Sequence, residues 1–210
     1  VILSELLLKW FDISKRKLPF RGINDPYKIW LSEIMLQQTK VKTVIPYYNN
    51  WIIKFPNISS VSNSSEQEVL KYWEGLGYYS RCRNFYNAAN IVCKKYNSII
   101  PNNWDDFRAL PGVGDYTSGA VLSIAFNKPY IALDGNAKRV MARIIGRLNM
   151  TKYNVNLIKS KLYKLMDYKR PGDFNQALME LGACICLPKI PLCLQCPINS
   201  YCQAYKRGNP

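Results

Sequence analysis

The chain has 210 residues, with 29 Lys and Arg against 14 Asp and Glu, a formal charge of +15, and no histidine. With 48% hydrophobic and 20% charged residues it has the composition of one or two packed domains, and no apolar run is long enough to span a bilayer. The missing histidines exclude Ser-His-Asp triads, histidine metal sites and histidine bases, so acid–base chemistry falls to carboxylates, Tyr, Lys or Cys. The start, Val1-Ile2-Leu3-Ser4-Glu5, lacks the basic segment that opens a secretory signal.

In chain order the pattern is helical almost throughout. Ile2 to Phe11 reads as an apolar helix, followed by the basic stretch Lys15 to Arg21. Asp25-Pro26 reads as N-cap and first turn of a helix to about Gln38. Val41 to Phe55 is a further helix with Pro46 as a candidate bend. Ser65 and Glu68 form a capping-box pattern for a helix ending at Gly75. Tyr79 to Tyr96 is amphipathic, and Asn103 caps a short helix through Leu110. Further helices are expected at Asp115–Phe126, Asn136–Leu148, Val155–Met166 and Asp173–Cys184. No alternating stretch predicts a strand, so the expected class is all-α.

The charge is concentrated. Between Lys138 and Arg170 stand ten Lys or Arg and one acid, Asp167. Polyanions bind such surfaces through counterion release, so nucleic acid is the favoured partner; a solvated basic face is the plain alternative.

The seven cysteines are uneven. Cys186, Cys193, Cys196 and Cys202 fall within 17 residues, while Cys82, Cys93 and Cys184 lie outside any obvious spacing. Nothing supports the oxidising compartment that two disulfides need. Four thiolates in one loop suit a metal centre, and the single C-x2-C with longer arms fits an iron–sulfur cluster better than zinc; the spacing leaves zinc open.

Three further features carry possible chemistry. Leu110-Pro111-Gly112-Val113-Gly114 lies between two helices and can present backbone amides to a phosphate, as helix–hairpin–helix DNA binders do; a plain connector is the alternative. Glu33 falls between Ile29 and Trp30 on its helix, with Leu36 on the same side. A carboxylate on an apolar stripe is expected to have its pKa raised by burial, which makes it a general acid usable at neutral pH, unless it is exposed or paired. Asp134, before Gly135-Asn136, reads first as a helix N-cap. Two carboxylates far apart in sequence are also what cleavage of a glycosidic bond needs.

The phrases Trp30-Leu31-Ser32-Glu33-Ile34-Met35-Leu36-Gln37-Gln38-Thr39, Trp73-Glu74-Gly75-Leu76-Gly77-Tyr78-Tyr79-Ser80-Arg81, Leu110 to Gly114, Leu133-Asp134-Gly135-Asn136 and the four-cysteine loop occur in this order. Together they resemble the adenine DNA glycosylase (MutY) family of helix–hairpin–helix glycosylases, over essentially the whole chain. The resemblance implies a two-lobed all-α enzyme. A six-helix lobe with the hairpin spans 18–125, and a lobe of 1–17 and 126–210 ends in a 4Fe–4S cluster on Cys186, Cys193, Cys196 and Cys202.

Its implied substrate is double-stranded DNA with adenine opposite 8-oxoguanine or guanine, the adenine being flipped out and hydrolysed away by a monomeric cytoplasmic enzyme, nucleoid-associated in a bacterium. Glu33 matches the acid that protonates adenine, and Asp134 the carboxylate that stabilises the sugar cation. Asn136 and Tyr116 match polar helpers around Asp134 and the sugar, and Arg16, Arg21 and Glu180 match base-pocket residues. Gln38 and Tyr78 match residues that wedge into the duplex; Lys138 is expected to contact phosphate. The endonuclease III branch has a lysine where Tyr116 stands, so hydrolysis without strand nicking is expected. Phe20 replaces the usual Trp, and the Nudix-like domain that reads 8-oxoguanine in typical members is absent from these residues. A mismatch thymine glycosylase and a non-catalytic DNA-binding cluster module are the competing readings.

Overall fold

The computed structural model describes residues 2–147 and 151–210, and all its regular structure among them is helical. Two compact units emerge, residues 17–126 and residues 1–16 with 127–210. In chain order the helices are α1 (Ile2–Ser14), α2 (Pro26–Leu36), α3 (Val41–Lys54), α4 (Ile58–Ser62), α5 (Glu66–Trp73), α6 (Tyr79–Tyr96), α7 (Trp104–Arg108), α8 (Asp115–Phe126), α9 (Gly135–Ile145), α10 (Lys152–Leu165), α11 (Pro171–Cys184) and α12 (Gln203–Lys206). None is long and apolar enough to cross a membrane among the described residues.

Side-chain caps start six of the twelve helices among the described residues. Asp25 accepts from the amides of Tyr27 and Lys28 ahead of α2, and Asn103 from Asp106 ahead of α7. Ser65 caps α5 by accepting from the Glu68 amide, the first half of the expected box. The reciprocal box belongs to α4, which the sequence reading passed over: Asn57 and Ser60 exchange side-chain and backbone bonds there. Asp134 does cap α9, accepting from the Ala137 amide. That helix stops at Gly146, whose φ of 66° makes it a left-handed C-cap. The end expected at Leu148 lies outside the described residues. The 3-10 turns and α12 in the cysteine loop also went unforeseen, because pieces of three or four residues carry no periodic signal.

The core of 17–126 is aromatic. Trp30 meets Phe85 and Phe107 edge-on, at ring-centre distances of 4.8 and 5.1 Å, and Trp51 meets Trp73 at 5.7 Å. Tyr27 is buried with them, donating to the Phe55 carbonyl and accepting from Trp51 Nε1. The second unit packs Leu3, Leu7 and Phe11 of α1 against Val140 and Met141 of α9, Ile158 and Leu162 of α10, and Phe174 and Leu178 of α11. Cys186 and Cys196 rest partly buried on that same core.

Candidate active site and cysteine loop

In residues 17–126 the focus is Glu33. The buried neighbours Ile29, Trp30, Ile34 and Met35 carry it inward on α2, and it is 8% exposed. Tyr116, in the first turn of α8, donates its hydroxyl to Glu33 Oε2 at 2.6 Å. A second bond, from Gln37 Nε2 to Thr117 Oγ1 at 3.3 Å, links the same two helices. A half-buried phenol and a buried carboxyl thus form a short hydrogen-bonded pair. Tyr116, expected as a helper of Asp134 and the sugar, also contacts Glu33.

The hairpin turn divides its residues by face. Leu110 and Val113 are each 3% exposed. Their side chains are pegs that hold the turn; the contact expected with DNA is one of backbone amides. The Val113 amide closes the turn on the Leu110 carbonyl at 3.1 Å, and Arg108 braces it from the Val113 carbonyl to Asp115. Gly112 is exposed with φ of 74°, and a Cβ there would meet Asn84 Cβ at 2.7 Å. Pro111 and Gly114 are half-buried, and a Cβ on Gly114 would meet no protein atom.

Gln38 and Tyr78 are both exposed, with φ of 55° and 50°. The left-handed region costs a residue with a Cβ roughly 1–2 kcal/mol, and neither side chain is the Asn or Asp that tolerates it. Arg21, half-buried, closes a turn from its own amide to the Leu18 carbonyl.

In the second unit, Asp134 uses both oxygens. Oδ1 accepts from the Ala137 amide at 2.6 Å and Oδ2 from Asn136 Nδ2 at 2.9 Å. Asn136 in turn accepts from Arg139, whose guanidinium also donates to the carbonyls of Gly182 and Cys186 at 2.7 and 2.9 Å. The close approach of α11 to α9 depends on Gly182, where a Cβ would come within 2.6 Å of Asn136 Cβ. The segment before Asp134 is held by fully buried Asn175, which bonds the Ala132 amide and the Tyr130 carbonyl. Asn175→Ala strips both groups of a partner and is expected to lower stability by roughly 1–3 kcal/mol, read as the shift in a thermal melt. Lys138 is half-buried in the first turn of α9.

Arg16 and Glu180, expected together, are together. The Arg16 Nε and Nη2 donate to the two Glu180 oxygens, each at 2.8 Å, and the Arg16 amide adds a third bond at 2.9 Å. Glu180 is 1% exposed.

Cys186, Cys193, Cys196 and Cys202 line one pocket, open to solvent, together with Arg143, Asn199 and Tyr205. Cys184, outside the expected set, is not among its lining residues. No group of three His, Cys, Asp or Glu among the described residues is placed to hold a metal ion. Four soft thiolate donors around one shared space suit a zinc ion or an iron–sulfur cluster. Burial pushes the Cys193 thiol up and the Cys196 thiol to about 11. Any metal here must therefore displace protons. Arg143, 8% exposed, donates to Cys186 Sγ at 3.2 Å and to the Leu187 and Pro188 carbonyls.

The sequence reading gave Arg81, Arg139, Arg143 and Asn175 no role of their own. A cation or amide set among apolar helix positions was the available signal, as in Arg139-Val140-Met141-Ala142-Arg143.

Residues 31–164 match the HhH-GPD superfamily base excision DNA repair protein model. The chain belongs to this superfamily. It is 44% identical over 206 residues to the adenine DNA glycosylase of Buchnera aphidicola subsp. Baizongia pistaciae, covering 98% of this chain and 59% of that protein. It is 42% identical to the adenine DNA glycosylase of Mus musculus, covering 96% of this chain and 41% of that protein. The chain thus spans between two fifths and three fifths of the length of these relatives. Among solved structures, a thermostable thymine-DNA glycosylase superposes with a TM-score of 0.90 at 28% identity, covering 98% of this chain and 96% of that one. A trapped endonuclease III–DNA covalent intermediate gives 0.81 at 21% identity, over 99% and 95%, and supports the fold alone.

Proposed function

We propose that this chain binds duplex DNA and hydrolytically removes adenine mispaired with 8-oxoguanine or guanine. The observation that carries the reading is the 2.6 Å bond from Tyr116 to the buried Glu33 carboxyl. Adenine is a poor leaving group as an anion, so its imidazole ring must gain a proton as the sugar bond breaks. Glu33 is the donor in this reading, and Tyr116 fixes the orientation of its carboxyl. Asp134, its two oxygens held by Asn136 and the Ala137 amide, supplies negative charge toward the oxocarbenium-like sugar. Water completes the substitution. A phenol cannot form the imine that a lysine would, so strand nicking is not expected from Tyr116. Arg16, Arg21 and Glu180 are assigned to the base pocket, Gln38 and Tyr78 to the opened duplex, and Pro111, Gly112, Gly114 and Lys138 to phosphates.

The adenine glycosylase relatives favour adenine, and the thymine-DNA glycosylase neighbour supplies the second reading. Single-turnover excision from A:8-oxoguanine, A:G, T:G and matched duplexes, developed with alkali, separates them. Excision from T:G alone assigns the thymine reading; none from any duplex refutes both.

Replacing Gly114 by Val is expected to leave the melting temperature unchanged while lowering affinity for all duplexes alike. A Cβ at Gly114 meets no protein atom, so a loss reports on the approach of the phosphates. Unchanged affinity makes the turn a connector only.

For the cysteine loop, the group proposed is a 4Fe–4S cluster held by Cys186, Cys193, Cys196 and Cys202. Bound there, it supplies a cross-link for the loop and a redox centre. Arg143 places a positive charge beside Cys186 and holds the following carbonyls in place. Purified protein is expected to be yellow-brown and to contain iron and sulfide in about equal amounts, roughly four of each per chain. Cys196→Ser should lose that colour and Cys184→Ser should keep it; one tight zinc without sulfide refutes the assignment.

A further inference from the structure

Gln38 and Tyr78 share one support. Arg81, half-buried in the first turn of α6, sends Nη1 to the carbonyls of Ile34 and Met35, at 2.9 and 3.0 Å, and to the Gln37 carbonyl. Its Nη2 donates to Thr39 Oγ1 at 3.2 Å and to the Gly77 carbonyl at 3.1 Å. Its Nε reaches the Tyr78 carbonyl at 3.5 Å. The guanidinium also lies over two rings, 5.4 Å from the centre of Trp73 and 5.1 Å from that of Tyr78.

The geometry has a direct chemical meaning. The last carbonyls of α2 have no partner within the helix, and the fork of Arg81 fills that role. The same fork holds the turn that leads into α6. Gln37 and Thr39 flank Gln38 on one side of it, and Gly77 precedes Tyr78 on the other. Two left-handed residues, 40 positions apart in sequence, are thus built around a single cation. Strained backbone persists only where its surroundings over-determine it. A lysine cannot replace this arrangement, because one ammonium lacks the planar, many-donor face.

We propose that Arg81 is a positioning residue that couples the 37–39 and 75–79 turns, so that Gln38 and Tyr78 are presented to DNA as one rigid unit. The proposal rests on the reading above, in which those two side chains enter the opened duplex. Arg81 then contributes to lesion recognition without touching the base that is removed. Binding to intact duplex through backbone phosphates does not use it.

The test uses full-length, cluster-loaded protein with Arg81→Lys and Arg81→Met. Affinity for an A:8-oxoguanine duplex is expected to fall about tenfold or more in both, and affinity for a matched duplex by less than about twofold. In a Gln38→Ala/Tyr78→Ala background, adding Arg81→Met should cost less than about twofold, because the residues it acts through are gone. Hydrogen exchange without DNA should show amides of both turns losing protection together, while those of α8 keep theirs. Wild-type mispair affinity in Arg81→Met, or its full loss repeated in the double-variant background, overturns the proposal. Loss of protection in one turn only overturns the coupling. Failure of the wild-type protein to prefer or excise the mispair refutes the functional reading instead, and the exchange arm still decides whether Arg81 joins the two turns.

Discussion

Glu33→Gln is expected to bind mispaired duplex within about twofold of wild type and to excise adenine about 100-fold or more slowly in a single turnover. The amide keeps the volume and the acceptor that Tyr116 addresses at 2.6 Å, so the helix packing survives. What it lacks is the proton. Uniform binding is untouched, so the loss appears in the chemical step rather than in affinity. Tyr116→Phe tests the partner: it removes the hydroxyl that orients the carboxyl and should slow excision less than Glu33→Gln does. Near-wild-type excision by Glu33→Gln removes Glu33 from the role of acid.

Arg16→Ala is expected to destabilise the protein by about 3 kcal/mol, the lower end for breaking a buried ion pair. Glu180 is 1% exposed and takes three bonds from Arg16, two from the side chain and one from the backbone. Removing the guanidinium leaves the buried carboxylate with the Arg16 amide but without the charged partner on its two oxygens. Arg16 itself is 40% exposed on its side chain, which keeps the figure at the lower end. The companion variant Arg16→Ala/Glu180→Gln should recover part of the stability, because the buried charge is gone. The measurement is a urea unfolding series on all three proteins. Equal midpoints for Arg16→Ala and wild type show that the pair adds no net stability. Because Glu180 is also assigned to the base pocket, a recovered fold with lost excision separates the structural role from the functional one.

Much of the local structure was legible in the chain. Asp25, Asn103 and Asp134 cap helices because an Asx side chain reaches the amides two or three residues ahead, an interaction that needs no distant partner. The all-helical class followed from apolar spacing of the same short range. The gathering of Cys186, Cys193, Cys196 and Cys202 around one pocket was legible for a similar reason, since four thiols in 17 residues share one loop. The buried pegs of the hairpin were not. A motif names Leu110 and Val113 beside Gly112 and Gly114 without saying which of them turn inward.

By itself, then, the sequence determined the helices, their caps, the charged surface and the placing of candidate carboxylates and thiols along the chain. Only the tertiary structure decided the pairings between residues far apart. Tyr116 finds Glu33 across 83 positions, Arg16 finds Glu180 across 164, and Arg81 gathers carbonyls from two turns. Each partner lies on a different helix or turn, so its identity depends on how helices pack rather than on how each one forms. Packing is settled by burying many apolar side chains at once, and the polar groups carried inward must then find whichever partner that burial brings within reach.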